Sequence, residues 1–200
     1  MTSPEDNNAK QTAEDEASFR TRALLGGFLW GLAEGKFFFI VPDVFLGFMA
    51  MRSVRAAAWA WAASIAGSLV AIIVIHLCMD WLGLNYIEFI THLPGISESL
   101  LASVHETISS QGLPYTSLLV LTGIPLKVLG ASAFGLGQTL GSVLLWTVFA
   151  RVVRIAPAFV VFGGLSHLFR AKIEAQPRCW FIGVSIVWVL FYVFYFAPMD

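Results

Sequence analysis

Charge is scarce in this chain. Asp, Glu, Lys and Arg make up 12% of its 200 residues and hydrophobic types 58%, whereas a soluble domain carries about 25% charged residues. The shortage excludes an ordinary soluble domain and, with a mean hydropathy of +0.77, indicates an integral membrane protein. Cysteine is scarcer still, with Cys78 and Cys179 the two present. They flank different apolar segments, near opposite faces of the membrane on the topology below, so neither a disulfide nor a metal site is expected. Residues 1–22 also lack an apolar run that could form the core of a signal peptide. That stretch is polar and acidic, with Glu5, Asp6, Glu14, Asp15 and Glu16, and reads as a disordered tail. The net charge of -1 hides a segregation of charge along the chain, and no nucleic-acid partner is expected.

What is present is a series of apolar segments. Residues 56–79 and 181–199 contain no charged side chain, and either can cross a hydrocarbon core about 30 Å thick. Residues 141–168 form a third span that carries Arg151, Arg154 and His167. Two further apolar regions are broken in the middle. Residues 23–50 are interrupted by Glu34, Gly35, Lys36 and Pro42, and residues 113–138 by Gly123, Pro125 and Lys127. The first leaves pieces of about 16 to 21 Å as helix, too short to span, and the second breaks in the same way. Short apolar halves joined by Gly or Pro fit re-entrant hairpins, whose open backbone is tolerated only against protein or a wet cavity.

The flanking charges agree. Arg20 and Arg22 precede the first broken region and Arg52 and Arg55 follow it, so the positive-inside rule places both its ends in the cytoplasm. Residues 80–111 carry Asp80, Glu88, Glu98 and Glu106 and no Lys or Arg, and read as extracytoplasmic. The second hairpin then enters from outside, the third span returns to Arg170, Lys172 and Arg178, and the last span leads outward again. The two halves echo each other: Pro42 to Gly47 resembles Pro125 to Gly130, and Gly67-Ser68-Leu69 resembles Gly141-Ser142-Val143. The expected fold is an all-α polytopic membrane protein, with two opposed re-entrant helical hairpins and spanning helices in an inverted repeat, an arrangement typical of transporters. Residues 23–168 form the membrane domain, and residues 169–200 a cytoplasmic loop and C-terminal transmembrane helix. The Gly137 to Gly141 pair matches the GxxxG pattern of close helix packing.

Six ionisable residues, Glu34, Lys36, Asp43, Lys127, Arg151 and Arg154, lie inside these apolar regions. A charge at the bilayer centre costs about 2.5 to 3.5 kcal/mol on insertion scales, so six uncompensated ones would cost roughly 15 to 20 kcal/mol. They must pair, face water or await a charged ligand. Arg151 and Arg154, at i and i+3 on nearly one helix face, either pair permanently with Glu34 and Asp43 or bind an anion, because the guanidinium fork matches phosphate oxygens bidentately. Lys127 either reaches an interface or joins them at the tip of the second hairpin. Glu34 and Asp43 either carry protons or neutralise arginine. Four positive against two negative charges favour an anionic ligand. Ser132, in Gly130-Ala-Ser132-Ala-Phe-Gly135, has no convincing base, and no enzyme activity, metal or cofactor is expected.

These motifs together resemble the DedA family of membrane proteins, the VTT-domain family, and its small YqaA-like branch. The matching residues are Glu34-Gly-Lys-Phe-Phe-Phe-Ile-Val-Pro42-Asp43-Val-Phe-Leu, Leu121-Thr-Gly-Ile-Pro125-Leu-Lys127-Val, and Arg151-Val-Val-Arg154. The resemblance covers roughly residues 25–169. It implies two opposed re-entrant hairpins and a flippase or scramblase role, moving phospholipids or polyprenyl phosphates between leaflets of the inner (plasma) membrane. It also implies that Glu34, Asp43, Arg151 and Arg154 carry the activity, and links some relatives to the proton motive force. The expected partners are lipids with anionic phosphate headgroups and, through the acids, protons; an oligomer is compatible with this. The alternative expectation is a non-transporting assembly or tethering protein whose buried ion pairs fix its packing.

Overall fold

Pro42 and Pro125 decide where helices restart, since a residue without an amide hydrogen is tolerated at the start of a helix and disruptive inside one. The computed structural model of the protein describes residues 4–34, 42–82, 84–93, 96–118 and 124–196. Among these residues the chain forms nine helices and no strand: α1 (Pro4–Glu34), α2 (Pro42–Arg52), α3 (Val54–Leu82), α4 (Leu84–Thr91), α5 (Glu98–Leu118), α6 (Leu126–Gly135), α7 (Leu140–Leu168), α8 (Arg170–Ala175) and α9 (Pro177–Phe196). α2 opens on Pro42, and Pro125 is the N-cap of α6. Gly112, at φ 81°, divides α5 into two helical pieces.

Among the described residues α3 and α7, each of 29 residues, are long and apolar enough to cross a membrane. Each extends about 43 Å. α2 and α6, of 11 and 10 residues, reach only about 15 to 17 Å. Leu145, Val160 and Val161 on α7 and Phe181, Ile186, Val187 and Val189 on α9 are all more than half exposed, an apolar surface that water would penalise and lipid would not.

The order helix, short helix, long helix occurs twice among the described residues, as α1–α2–α3 and α5–α6–α7. Each short helix packs on the long helix of the other half. A Cβ on Gly47 of α2 would stand 3.2 Å from the Phe162 ring of α7, and one on Gly130 of α6 would stand 3.0 Å from Ile72 of α3. Both glycines come five residues after the proline, so the Pro42 and Pro125 echo marks one packing position used twice. The other echo does not hold. Gly67 and Ser68 sit halfway along α3, whereas Gly141 and Ser142 occupy the first turn of α7, where the Thr139 side chain accepts from the Ser142 amide.

The tight helix seam also lies elsewhere than expected. Gly137, at φ 72°, turns the chain between α6 and α7, and a Cβ on Gly141 would meet nothing within 4 Å. Gly27 and Gly31 make the close approach instead: a Cβ on either would overlap the carbonyl oxygen of Ala60 or Ser64, and one on Gly67 would overlap that of Phe28. α1 thus lies backbone to backbone along α3. The acidic segment expected as a disordered tail is helical from Pro4 onward. It is rich in Ala and Glu, which favour helix, and it continues a docked helix, so no separate nucleation is needed.

Charge is sorted to the two ends of the bundle. The Arg20 guanidinium lies over the Trp59 ring at 4.7 Å and that of Arg52 over Phe19 at 4.2 Å. Both flanks of the first break are therefore at one end. α7 finishes there too, since Gly163 approaches Val54, and Arg170, Lys172 and Arg178 follow it. Asp80, at the far end of α3, begins an opposite end that carries Glu88, Glu98 and Glu106 and no Lys or Arg through residue 111. Cys78 and Cys179 are free thiols at opposite ends.

A buried cation layer as candidate functional site

The helix contacts place the charged residues at a common level. Ser68 Oγ donates to the Gly31 carbonyl oxygen at 3.5 Å, so the last turn of α1, which ends on Glu34, lies beside Ser64 and Ser68 of α3. That level is about 15 to 21 Å from the start of α3, close to its middle. α6 runs parallel to α3: Gly130 meets Ile72 and Ile75, and the Phe134 ring is 4.7 Å from His76. Its first residues, Leu126 and Lys127, consequently lie near Ser68 and Ala71. α7 runs the other way, with Phe159 stacked on Trp61 at 5.4 Å and Ile155 clustered with Ala60. Arg151, one turn further on, reaches the level of Ser64 to Ser68.

Both cations in this layer are buried. Arg151 is 1% exposed, and Lys127 is 3% exposed. Arg154 is half-buried. Moving such an ion out of water costs several kcal/mol even after relaxation, so the layer must contain counter-charge or polar ligands. Lys127, Arg151 and Arg154 are accordingly all engaged by neighbours. Val143, Thr147, Arg151 and Ile155, at four-residue spacing, form one buried face of α7, which turns the Arg151 side chain into the bundle.

The structure brings the positions of Lys127 and Arg151 and the end of α1 to one level. α2 opens on Pro42, so Asp43 is its second residue. The side chains of Glu34 and Asp43, and Lys36 altogether, lie outside the described residues. Sequence reasoning weighed Ser132 only as a nucleophile and passed over the other hydroxyls as polar groups of the interior. Ser64, Ser68, Thr116, Ser117, Ser132 and Thr147 are all at most 2% exposed. Four of them bond back to their own helix, Ser64 to Trp61 O at 2.8 Å, Ser68 to Ser64 O at 3.0 Å, Thr116 to Gly112 O at 2.9 Å and Ser117 to Leu113 O at 2.8 Å. Ser132 Oγ and Thr147 Oγ1 have no hydrogen-bond partner among the described residues. The four-residue spacings Ser64 to Ser68 and Thr147 to Arg151 were the available signal, since they place polar groups on the buried stripe of an otherwise apolar helix.

Ser132 Oγ therefore meets no base among the described residues, and no group of three or more His, Cys, Asp or Glu there could hold a metal ion. No family model matches the chain, and no curated protein or solved structure matches it.

Proposed function

We propose that this chain is a multi-pass protein of the inner (plasma) membrane that moves phosphate-bearing lipids between leaflets. Its basic end, with the N-terminus, faces the cytoplasm by the positive-inside rule, α9 forms a third span, and both breaks are re-entrant. The observation that carries the reading is the burial of Arg151 and Lys127 at one level midway along α3 and α7. Buried guanidinium and ammonium groups suit a phosphate, which accepts charge-assisted hydrogen bonds from both. The resemblance to the DedA family, which rests on the motifs quoted above, supports the same substrate class.

The chemistry follows from competition for the same cations. A headgroup entering between the breaks meets Arg151, Arg154 and Lys127, while Glu34 and Asp43 offer the cations an internal alternative. Protonating those acids frees the cations for phosphate, and deprotonating them favours release. A ligand shifts a conformational equilibrium only through differential affinity, and carboxylates that compete in one state supply it.

A second reading is favoured by the engagement of Lys127, Arg151 and Arg154 with neighbours: the ions fasten the helices of an assembly or tethering protein and never exchange partners. Leaflet-exchange assays in proteoliposomes separate the two. We expect Arg151→Ala combined with Arg154→Ala to lower exchange of phosphorylated lipids at least tenfold in protein that folds normally. Unchanged exchange would remove the proposed site. Retained function after swapping charge signs between an acid and an arginine would support the fastening role.

A further inference from the structure

One face of α3 stays open along the whole helix. Trp59, Val70, Ile73, Leu77 and Trp81 are each more than a third exposed, and spacings of 11, 3, 4 and 4 residues set them on a single stripe. At the basic end of the stripe, Trp59 lies under the Arg20 guanidinium. At the other, Trp81 is 85% exposed, the most open large apolar side chain among the described residues. Along the helix the two indoles stand about 33 Å apart, close to the hydrocarbon thickness of about 30 Å. Tryptophan at both ends of an apolar stripe is the pattern of the two membrane–water interfaces. Val70 then marks the midplane, and the cation layer at Ser64 to Ser68 lies about 3 to 9 Å from it toward the basic end.

α4 sits at the depth of the outer interface. Tyr86 neighbours Cys78, and a Cβ on Gly135 would stand 3.9 Å from Ile87. Cys78 is about 12 Å beyond Val70, against a hydrocarbon half-thickness of about 15 Å. Tyr86 and Ile90 turn one side of α4 into the bundle, while Phe89, and Leu82 just before the helix, are more than half exposed. Residues 80–111 contain no Lys or Arg, so cations cannot hold this end to phosphate headgroups as they can the other.

We infer that Trp81, Leu82 and Phe89 anchor the acidic end in the headgroup layer of the outer leaflet, with α4 lying in that interface. Indole suits the border, since its ring is apolar and its N–H donates to a lipid carbonyl or phosphate oxygen. A short helix with one face on protein and apolar side chains at headgroup depth is held by the area it buries in lipid. With Arg20 and Trp59 at the basic end, the anchor fixes the depth of α3 and hence of the cation layer. The inference rests on the membrane placement proposed above and does not require that lipid be transported.

Fluorescence quenching in phosphatidylcholine nanodiscs tests this, with an environment-sensitive fluorophore on single cysteines in a Cys78→Ser, Cys179→Ser background. The positions are Trp81→Cys and Phe89→Cys, with Glu88→Cys and His92→Cys as exposed polar neighbours and Val70→Cys at the midplane. All five are surface side chains, so the variants keep the core intact. Each is read with a nitroxide on the lipid headgroup and with iodide in the water. The ratio of nitroxide to iodide quenching should be at least threefold higher at 81 and 89 than at 88 and 92. Equal ratios at these four positions, beside a position 70 quenched by a nitroxide halfway down the acyl chain, would overturn the anchor and leave the membrane placement standing. Iodide quenching at 70 as strong as at 88 would remove that placement and the anchor with it. Weak quenching by both agents at 81 and 89 would mean that protein covers the patch, a second copy if tenfold dilution into lipid restores the quenching, and would likewise overturn the anchor.

Discussion

Gly31→Ala is the substitution whose sign is most informative. In an open helical position alanine is favoured over glycine by about 0.8 to 1 kcal/mol, so propensity alone predicts a stabilised protein. The geometry predicts the reverse. A Cβ on Gly31 would overlap the Ser64 carbonyl oxygen and stand 2.8 Å from the carbonyl carbon, against about 3.5 to 4.0 Å for an ordinary contact. The obstruction is backbone, which cannot rotate away, so α1 must retreat by roughly 1 Å from α3. Overpacking of this kind costs about 1 to 3 kcal/mol, and the strained Ser68 hydroxyl bond to the Gly31 oxygen adds about 0.5 to 1 kcal/mol. After the propensity gain, a net loss of about 0.5 to 3 kcal/mol remains. Thermal unfolding of the purified protein in lipid nanodiscs measures it, with Gly164→Ala as control, since a Cβ there meets nothing within 4 Å. A control that holds or gains stability beside a destabilised Gly31 variant supports the seam. Equal stabilisation of both variants would refute it. Because Glu34 ends the same helix one turn later, the Gly31 variant should also depress lipid exchange.

Three further outcomes are expected. Lys127→Met keeps the length and removes the charge of a buried side chain that neighbours engage, so lipid exchange should fall about tenfold and the melting temperature should drop as the groups that engage it lose their partner; a loss of stability with normal exchange would make the lysine a structural fastener. Thr139→Ala removes the cap whose side chain accepts from the Ser142 amide at 3.3 Å, and should cost about 0.5 to 1 kcal/mol in thermal unfolding, with Thr139→Ser near neutral. Burial, and then the neighbouring Cys78 thiolate, push the Tyr86 phenol from 10.0 up to about 12. The unfolded chain loses that proton first, so stability is complete below pH 10 and declines as pH rises toward 12; a near-ultraviolet titration in which all phenols ionise at the ordinary value would contradict this.

Much of the architecture was legible where side-chain chemistry forces the backbone. Pro42 opens α2 and Pro125 caps the start of α6, helix starts that the sequence offers, and the charge-free run at 56–79 lies within α3. Arg151 was legible as a charge inside a membrane-length helix because residues 141–168 form one apolar run around it. The glycine seam was harder to read. Gly27 and Gly31 match the same four-residue pattern as Gly137 and Gly141, and only the partner helix tells a packing surface from a turn. The acidic stretch before Phe19 was misread for a similar reason: its composition suits both a solvated coil and a helix, and continuity with the docked part of α1 decides. Thr147 was passed over because a hydroxyl in an apolar helix ordinarily bonds its own backbone, as Ser64 and Ser68 do, and Ser132 was weighed only as a nucleophile.

The account depends on broken helices that return to the face they entered, leaving their breaks at the middle of the membrane. Single cysteines at Arg20→Cys, Arg52→Cys and Asp80→Cys, in the background without native thiols, test that most directly through labelling by an impermeant reagent from each face. Positions 20 and 52 should react from one side and position 80 from the other. Labelling of 20 and 52 from opposite sides would contradict the hairpin, and with it the mid-membrane cation layer.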